Sequence, residues 1–226
     1  MIPLILNIDT STNNASICLA SGGESLEMLS NRNQQDHASW LHLAIISLLD
    51  RVGKTLKQLD AIAVTSGPGS YTGLRVGLAS AKGFCYALSI PLIMESTLKM
   101  MAISAKEQGN FLEDIYLCPM IDARRMEVFT AIFSKELEEI VSPKAIILKE
   151  DLFREADLKK KLIFFGDGSA KFKILCPPSL GNFCNFETDA TYLAKLSAER
   201  YRLGEFSDPL NAIPFYGKAF FTKPAN

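Results

Sequence analysis

The passage from a strand-like run, Ala61-Ile62-Ala63-Val64-Thr65, into Gly67-Pro68-Gly69-Ser70-Tyr71-Thr72-Gly73-Leu74-Arg75-Val76-Gly77 restricts the fold more than any other stretch. It reads as a β-strand, a glycine-rich turn and the start of a long helix over residues 71 to 89. Gly73, Gly77 and Gly83 lie inside that helix, where each costs roughly 1 kcal/mol relative to alanine. Gly73, Gly77 and Ala81 recur at every fourth residue, so they form a groove without side chains that another backbone can enter. A partner helix is the expected occupant.

The flanking segments supply an α/β context. Residues 2 to 9, 15 to 20 and 24 to 30 read as an antiparallel meander turned at Thr10-Ser11-Thr12-Asn13-Asn14 and at Gly22-Gly23. Residues 37 to 52 switch to helical periodicity, with Trp40, Leu41, Ala44, Ile45, Leu48, Leu49 and Val52 on one face and Gly53 as the stop. Leu43 and Ile46 lie about 60 to 120° outside that stripe, so the helix is apolar on two sides, as an interface helix would be. A strand at 91 to 95 and a helix at 96 to 108 complete a β-β-β-α-β-α-β order. The second half restarts the pattern. Residues 115 to 121 and 126 to 133 are strand-like and meet at Asp122-Ala123-Arg124-Arg125, a weak internal repeat of the opening strand, aspartate, turn and strand. Two related lobes, 1–108 and 109–226, are expected to face each other across a cleft. The second is irregular: 144 to 162 is charged and broken, Cys176-Pro177-Pro178-Ser179 is a loop, and a helix at 188 to 203 ends at Gly204.

The glycine run, Ile5-Leu6-Asn7-Ile8-Asp9-Thr10-Ser11-Thr12, His37-Ala38-Ser39 and Asp122-Ala123-Arg124-Arg125-Met126-Glu127-Val128 together resemble the bacterial TsaB (YeaZ) family, in that family's order. Near the end, Pro214-Phe215-Tyr216 is followed by Gly217-Lys218, where the family continues with an aliphatic residue and arginine. The resemblance implies an actin-like ATPase (ASKHA, RNase H-like) fold. It implies a non-catalytic partner that binds and activates TsaD, the catalytic subunit that installs threonylcarbamoyl on the adenosine beside the tRNA anticodon. A TsaE-like ATPase would join indirectly, and tRNA only through the complex. Trp40, Leu43 and Ile46 with Gly73, Gly77 and Ala81 are the expected interface, packing on two equivalent helices of the relative. The same surface allows a homodimer.

The candidate chemistry points the same way. An actin-like kinase cradles ATP phosphates in two strand-turn-strand loops whose glycines let backbone N–H groups crowd the anion. Here Asp9 is followed by Thr10-Ser11 and Asp122 by Ala123-Arg124, so both glycines are lost. Asp9, Gly67, Gly69, Ser70 and Asp122 are therefore weak nucleotide-binding candidates, with Asp9 favoured as a turn cap. The glycine run satisfies neither the Walker A nor the dinucleotide pattern. His37 and His42 are the chain's only histidines and stand about 140° apart on a helix, so they form no metal pair, and no local base serves Ser70. No cofactor or metal is expected. A small-molecule kinase or ATPase of the same fold, an RNase H-type nuclease and a glycoprotease-related protease are the rival readings; each lacks its motif. A net charge of −1, from 24 basic and 25 acidic residues, gives no global footprint for nucleic acid. Lys159-Lys160-Lys161 reads as a solvated helix end, and five scattered cysteines read as free thiols. With no apolar run of membrane length and no leader pattern, a cytoplasmic location is expected, with no membrane contact.

Overall fold

The computed structural model describes residues 2–33, 36–150, 152–153 and 160–217; Lys159 and Lys218 lie outside the described residues. The first half runs β1 (Leu4–Asp9), β2 (Ala15–Ser21), β3 (Glu24–Asn31), α1 (His37–Arg51), β4 (Ala61–Gly67), α2 (Tyr71–Leu88), β5 (Leu92–Ser96) and α3 (Thr97–Gln108). The second runs β6 (Ile115–Asp122), β7 (Glu127–Phe133), β8 (Glu139–Ile147), β9 (Lys161–Phe165), α4 (Ser169–Lys173), β10 (Gly181–Phe183) and α5 (Ala190–Leu203).

The repeat is explicit in the sheets. The first has the order β3-β2-β1-β4-β5 and the second β10-β9-β6-β7-β8, which is the same order read from the other edge. In each, the opening strand pairs antiparallel with the next and parallel with the strand after the meander, as in Ile5 opposite Ala61 and Ile115 opposite Lys161. The third strand of the second meander, β8, is not among the expected elements, and its last residues, 144–147, fall in the stretch expected to be charged and broken. It is an edge strand carrying Pro143 and Lys144, which explains why it lacks a strand's apolar alternation.

The lobe boundary at 108/109 does not divide the packing. Leu4, Leu6, Ile8, Ile62 and Val64 face α1 and α2, whereas Ile5, Ala61, Ala63 and Ile93 face Leu193 and Leu196 of α5. α5 belongs to the second half of the chain, yet it covers the first sheet. Conversely, Leu98, Met101, Ala102 and Ala105 of α3 pack on Ile115, Leu117, Phe129 and Phe165 of the second sheet. The tail after α5 also returns to the first lobe: Ser207 N donates to Leu92 O (2.8 Å), Phe215 N to Ser66 O (2.7 Å), and Tyr216 lies 5.1 Å from the Tyr71 ring. The expected 109–226 lobe thus loses α5 and this strap to its neighbour. The reason is physical: the odd-numbered apolar residues of β1 and β4 need a cover that α1 and α2, on the other face, cannot supply.

Candidate functional site

Four connections meet where the sheets face each other: β1–β2, β4–α2, β6–β7 and β9–α4. They enclose a cleft of about 580 Å³ whose walls include Ser11, Asn13, Gly69, Ser70, Asp122 and Arg124. Asp9 and Gly67 are not among its lining residues. Asp9 is 1% exposed, and its Oδ1 accepts from Ser11 N (3.0 Å), Ser11 Oγ (2.6 Å) and Thr65 Oγ1 (2.7 Å). Burial pushes its pKa up, partly offset by these hydrogen bonds and by the charge of His37. It is a turn cap. A Cβ on Gly67 would stand 2.2 Å from Phe215 O, and one on Gly69 would stand 2.2 Å from Ser11 O. Both glycines make room for this chain's own backbone. Ser70 Oγ caps α2 by accepting from Gly73 N (3.3 Å).

Asp122 stands exposed at the cleft mouth, where it accepts from Lys171 Nζ (2.5 Å) and Arg124 N (2.6 Å). Burial alone would raise its pKa, but these bonds and the charges of Lys171 and Arg124 hold it below the usual carboxylate range. Arg124 and Arg125 occupy left-handed backbone, at φ of 67° and 51°, and form the β6–β7 turn.

The glycine groove is real, but its occupant is internal. A Cβ on Gly73 would lie 1.9 Å from Thr10 O, and one on Gly77 would lie 2.4 Å from Thr10 Oγ1, which itself donates to Gly73 O (2.7 Å). Ala81 is fully buried in the core that joins α2 to β4 and α1. The assignment of Gly73, Gly77 and Ala81 to a partner surface is therefore corrected: Thr10 of the β1–β2 turn covers the two glycines, and the first core covers Ala81.

The outward face of the helix pair is different. Leu43 is 70% exposed and Ile46 56%, while Trp40 is half-buried against the first core. On α2, Tyr86 is 81% exposed, and a Cβ on Gly83 would meet nothing within 4 Å. Ala79, Gly83 and Ala87 recur at every fourth residue, all exposed. His42, also exposed, bridges the two helices by lying 3.4 Å from Ser80 Oγ and 6.0 Å from the Phe84 ring, whereas His37 is buried at the start of α1. Among the described residues no group of three or more His, Cys, Asp or Glu side chains could hold a metal ion, and no helix is long and apolar enough to cross a membrane.

The family model for TsaD: tRNA N6-adenosine threonylcarbamoyltransferase matches residues 28–198. The tRNA threonylcarbamoyladenosine biosynthesis protein TsaB of Bacillus subtilis is 28% identical over 78% of this chain and 76% of its own length. The Haemophilus influenzae protein of the same name is 36% identical over 61% of this chain, which spans just over half of that relative (55%). The solved structure of YeaZ from Pseudomonas aeruginosa superposes with a TM-score of 0.80 at 26% identity, covering 95% of this chain and 99% of that one. Two like sheets flanking a cleft make this the actin-like ATPase fold. A family model spanning well over half of the sequence, with these relatives, shows that the chain belongs to the TsaD threonylcarbamoyltransferase family and, within it, to the TsaB (YeaZ) proteins.

Proposed function

We propose that this chain is a non-catalytic subunit in tRNA threonylcarbamoyladenosine biosynthesis, binding and activating a TsaD-like catalytic subunit through the outer face of α1 and α2. The observation that carries this reading is Gly83. A mid-helix glycine with open space over it has no reason inside the chain, and it sits in a stripe of small residues flanked by exposed Leu43, Ile46 and Tyr86. Two helices of a related subunit could cross there at close range as a four-helix contact. The same face would serve a homodimer in the absence of that subunit. The absence of catalysis is supported by the two loops that would hold phosphate in a kinase: Asp9 is engaged by Ser11 and Thr65, and Thr10-Ser11 and Ala123-Arg124 stand where those loops need glycine. Such a complex works in the cytoplasm, with tRNA and a TsaE-like ATPase meeting the catalytic subunit rather than this chain alone.

Co-purification with the TsaD-like subunit of the same organism, followed by mass-spectrometric measurement of threonylcarbamoyladenosine in tRNA, tests the proposal. Leu43→Asp and Gly83→Leu should each release the partner and lower the modified nucleoside while leaving the melting temperature near that of the parent. Full retention of the partner by both variants would overturn it.

A further inference from the structure

We propose that His42 makes the contact on the outer face of α1 and α2 proton-sensitive: the TsaD-like partner binds the neutral imidazole and lays an apolar centre, with no carboxylate, opposite it. This rests on the reading of that face as the partner surface, and adds the protonation state that the partner selects.

His42 occupies the middle of the face. On α1 it stands in the outward stripe of Ser39, Leu43 and Ile46, all exposed. Towards α2 its Nε2 lies 3.4 Å from Ser80 Oγ, and its ring lies 6.0 Å from the ring of Phe84, the residue after Gly83. His37, the chain's other histidine, is buried at the start of α1 and takes no part. Ser80 does not choose a charge state, since its hydroxyl donates to a bare ring nitrogen or accepts from a protonated one. That choice is left to solvent in the free chain and to the partner in the complex.

The charged groups around His42 are engaged elsewhere. β2, β3 and α2 pack against α1. β2 carries no charged residue. On β3, Glu27 pairs with Arg51 in the last turn of α1 (2.9 Å), and Glu24 lies among residues of α5. On α2, Arg75 donates to Tyr71 Oη (2.8 Å), and Lys82 Nζ donates to Leu210 O (3.3 Å) and Ala212 O (3.1 Å). Along α1 itself, Asp36 and Asp50 stand roughly 9 and 12 Å from His42 by the helical rise, beyond the Debye length of about 8 Å at physiological salt.

An apolar surface laid over the ring removes water from it and disfavours its charged form. Histidine is the side chain whose charge ordinarily changes between pH 5 and 8. The complex then holds fewer protons than the separate chains, so affinity rises with pH and falls as His42 becomes protonated. A partner carboxylate opposite the ring would reverse that sign. Leu43, Ile46 and Phe84, with the open stripe at Gly83, match the apolar alternative.

Titration of the full chain against the TsaD-like subunit of the same organism at pH 5.5, 6.5 and 7.5, at fixed ionic strength and with both chains shown folded by circular dichroism, is the test. The parent's Kd should rise about tenfold from pH 7.5 to pH 5.5, the effect of one proton expelled on binding. His42→Gln keeps a partner for Ser80 and does not titrate, so it should lose that slope whatever its affinity at pH 7.5. The side chain is exposed, so the substitution leaves the core untouched. Equal slopes for the parent and His42→Gln would overturn this inference while leaving the partner face in place. Parent binding that tightens towards pH 5.5, with that trend lost in His42→Gln, would overturn it by revealing a carboxylate opposite the ring. Full affinity of Leu43→Asp at pH 7.5 would overturn the face itself, and this inference with it.

Discussion

A methyl group added at Gly77 would stand 2.4 Å from Thr10 Oγ1, whereas one added at Gly83 would meet nothing within 4 Å. These two glycines of one helix therefore predict opposite outcomes. Gly77→Leu should overpack the β1–β2 turn at a cost of about 1–3 kcal/mol, lowering the melting temperature by roughly 3–10 °C by calorimetry. Gly83→Leu should hold or raise it slightly, through helix propensity. Equal destabilisation by both changes would refute the assignment of their faces. Spacing alone could not make this distinction, because both 73-77-81 and 79-83-87 recur every fourth residue. The missed signal was the apolar stripe Leu74, Leu78 and Cys85, which marks the buried side and carries Gly77 and Ala81 with it. Asp9 supports a second prediction at this scale. Burial raises its folded pKa above the ordinary value of 3.8, so the folded state holds its proton more tightly, and stability falls as pH rises from that value through the folded pKa. Asp9→Asn keeps an acceptor for Ser11 and Thr65 and removes the charge. Its stability relative to the parent should therefore increase from pH 4 to pH 7 in urea titrations (about one pH unit per step suffices to see the trend). A gap that does not change with pH would contradict this account.

Among the elements, α5 shows what periodicity can and cannot reveal. Its span and its terminal Gly204 were legible in the sequence, because the cap and the apolar spacing are local properties. Its destination was not, because nothing local records which sheet needs cover. The structure shows how it is held. Arg200 on α5 donates from Nε to Glu95 Oε2 on β5 (2.7 Å), and Glu95 is 3% exposed. Arg200→Met would strand that carboxylate. Since the arginine side chain is itself 33% exposed, solvent screening limits the cost to about 1–2 kcal/mol. Adding Glu95→Gln should recover more than half of the loss in a double-mutant thermal cycle. No recovery would mean that the pair contributes through packing alone. β8 failed to appear in the sequence for the converse reason: an edge strand with one wet face keeps prolines, lysines and glutamates that a central strand excludes.

For the molecule as a whole, the two-lobe actin-like layout was readable because each lobe repeats the same strand order, and that order leaves its mark at Asp9 and Asp122. The cleft could be located from those loops. The packing beside it could not, since the sequence does not show that Thr10, Ser11 and Phe215 occupy the spaces that Gly67, Gly69, Gly73 and Gly77 open, nor that Asp9 is buried behind Ser11 and Thr65. Calorimetric titration with ATP and Mg²⁺ should therefore give no binding tighter than about 10 μM, which would require roughly 7 kcal/mol of specific recognition. Tighter binding would restore the kinase reading.

The crossing of α3 onto the second sheet and α5 onto the first gives each half the other's lid. α5 packs on the first sheet and on α3, whereas α3 packs on both sheets, so a swing of one lobe against the other would carry α5 along and, among the helices, be resisted at α3 alone. Opening the cleft therefore means shearing one helix from one of its two sheets. That helix is the hinge pin of the molecule, and the outer face of α1 and α2 lies on the body that turns about it.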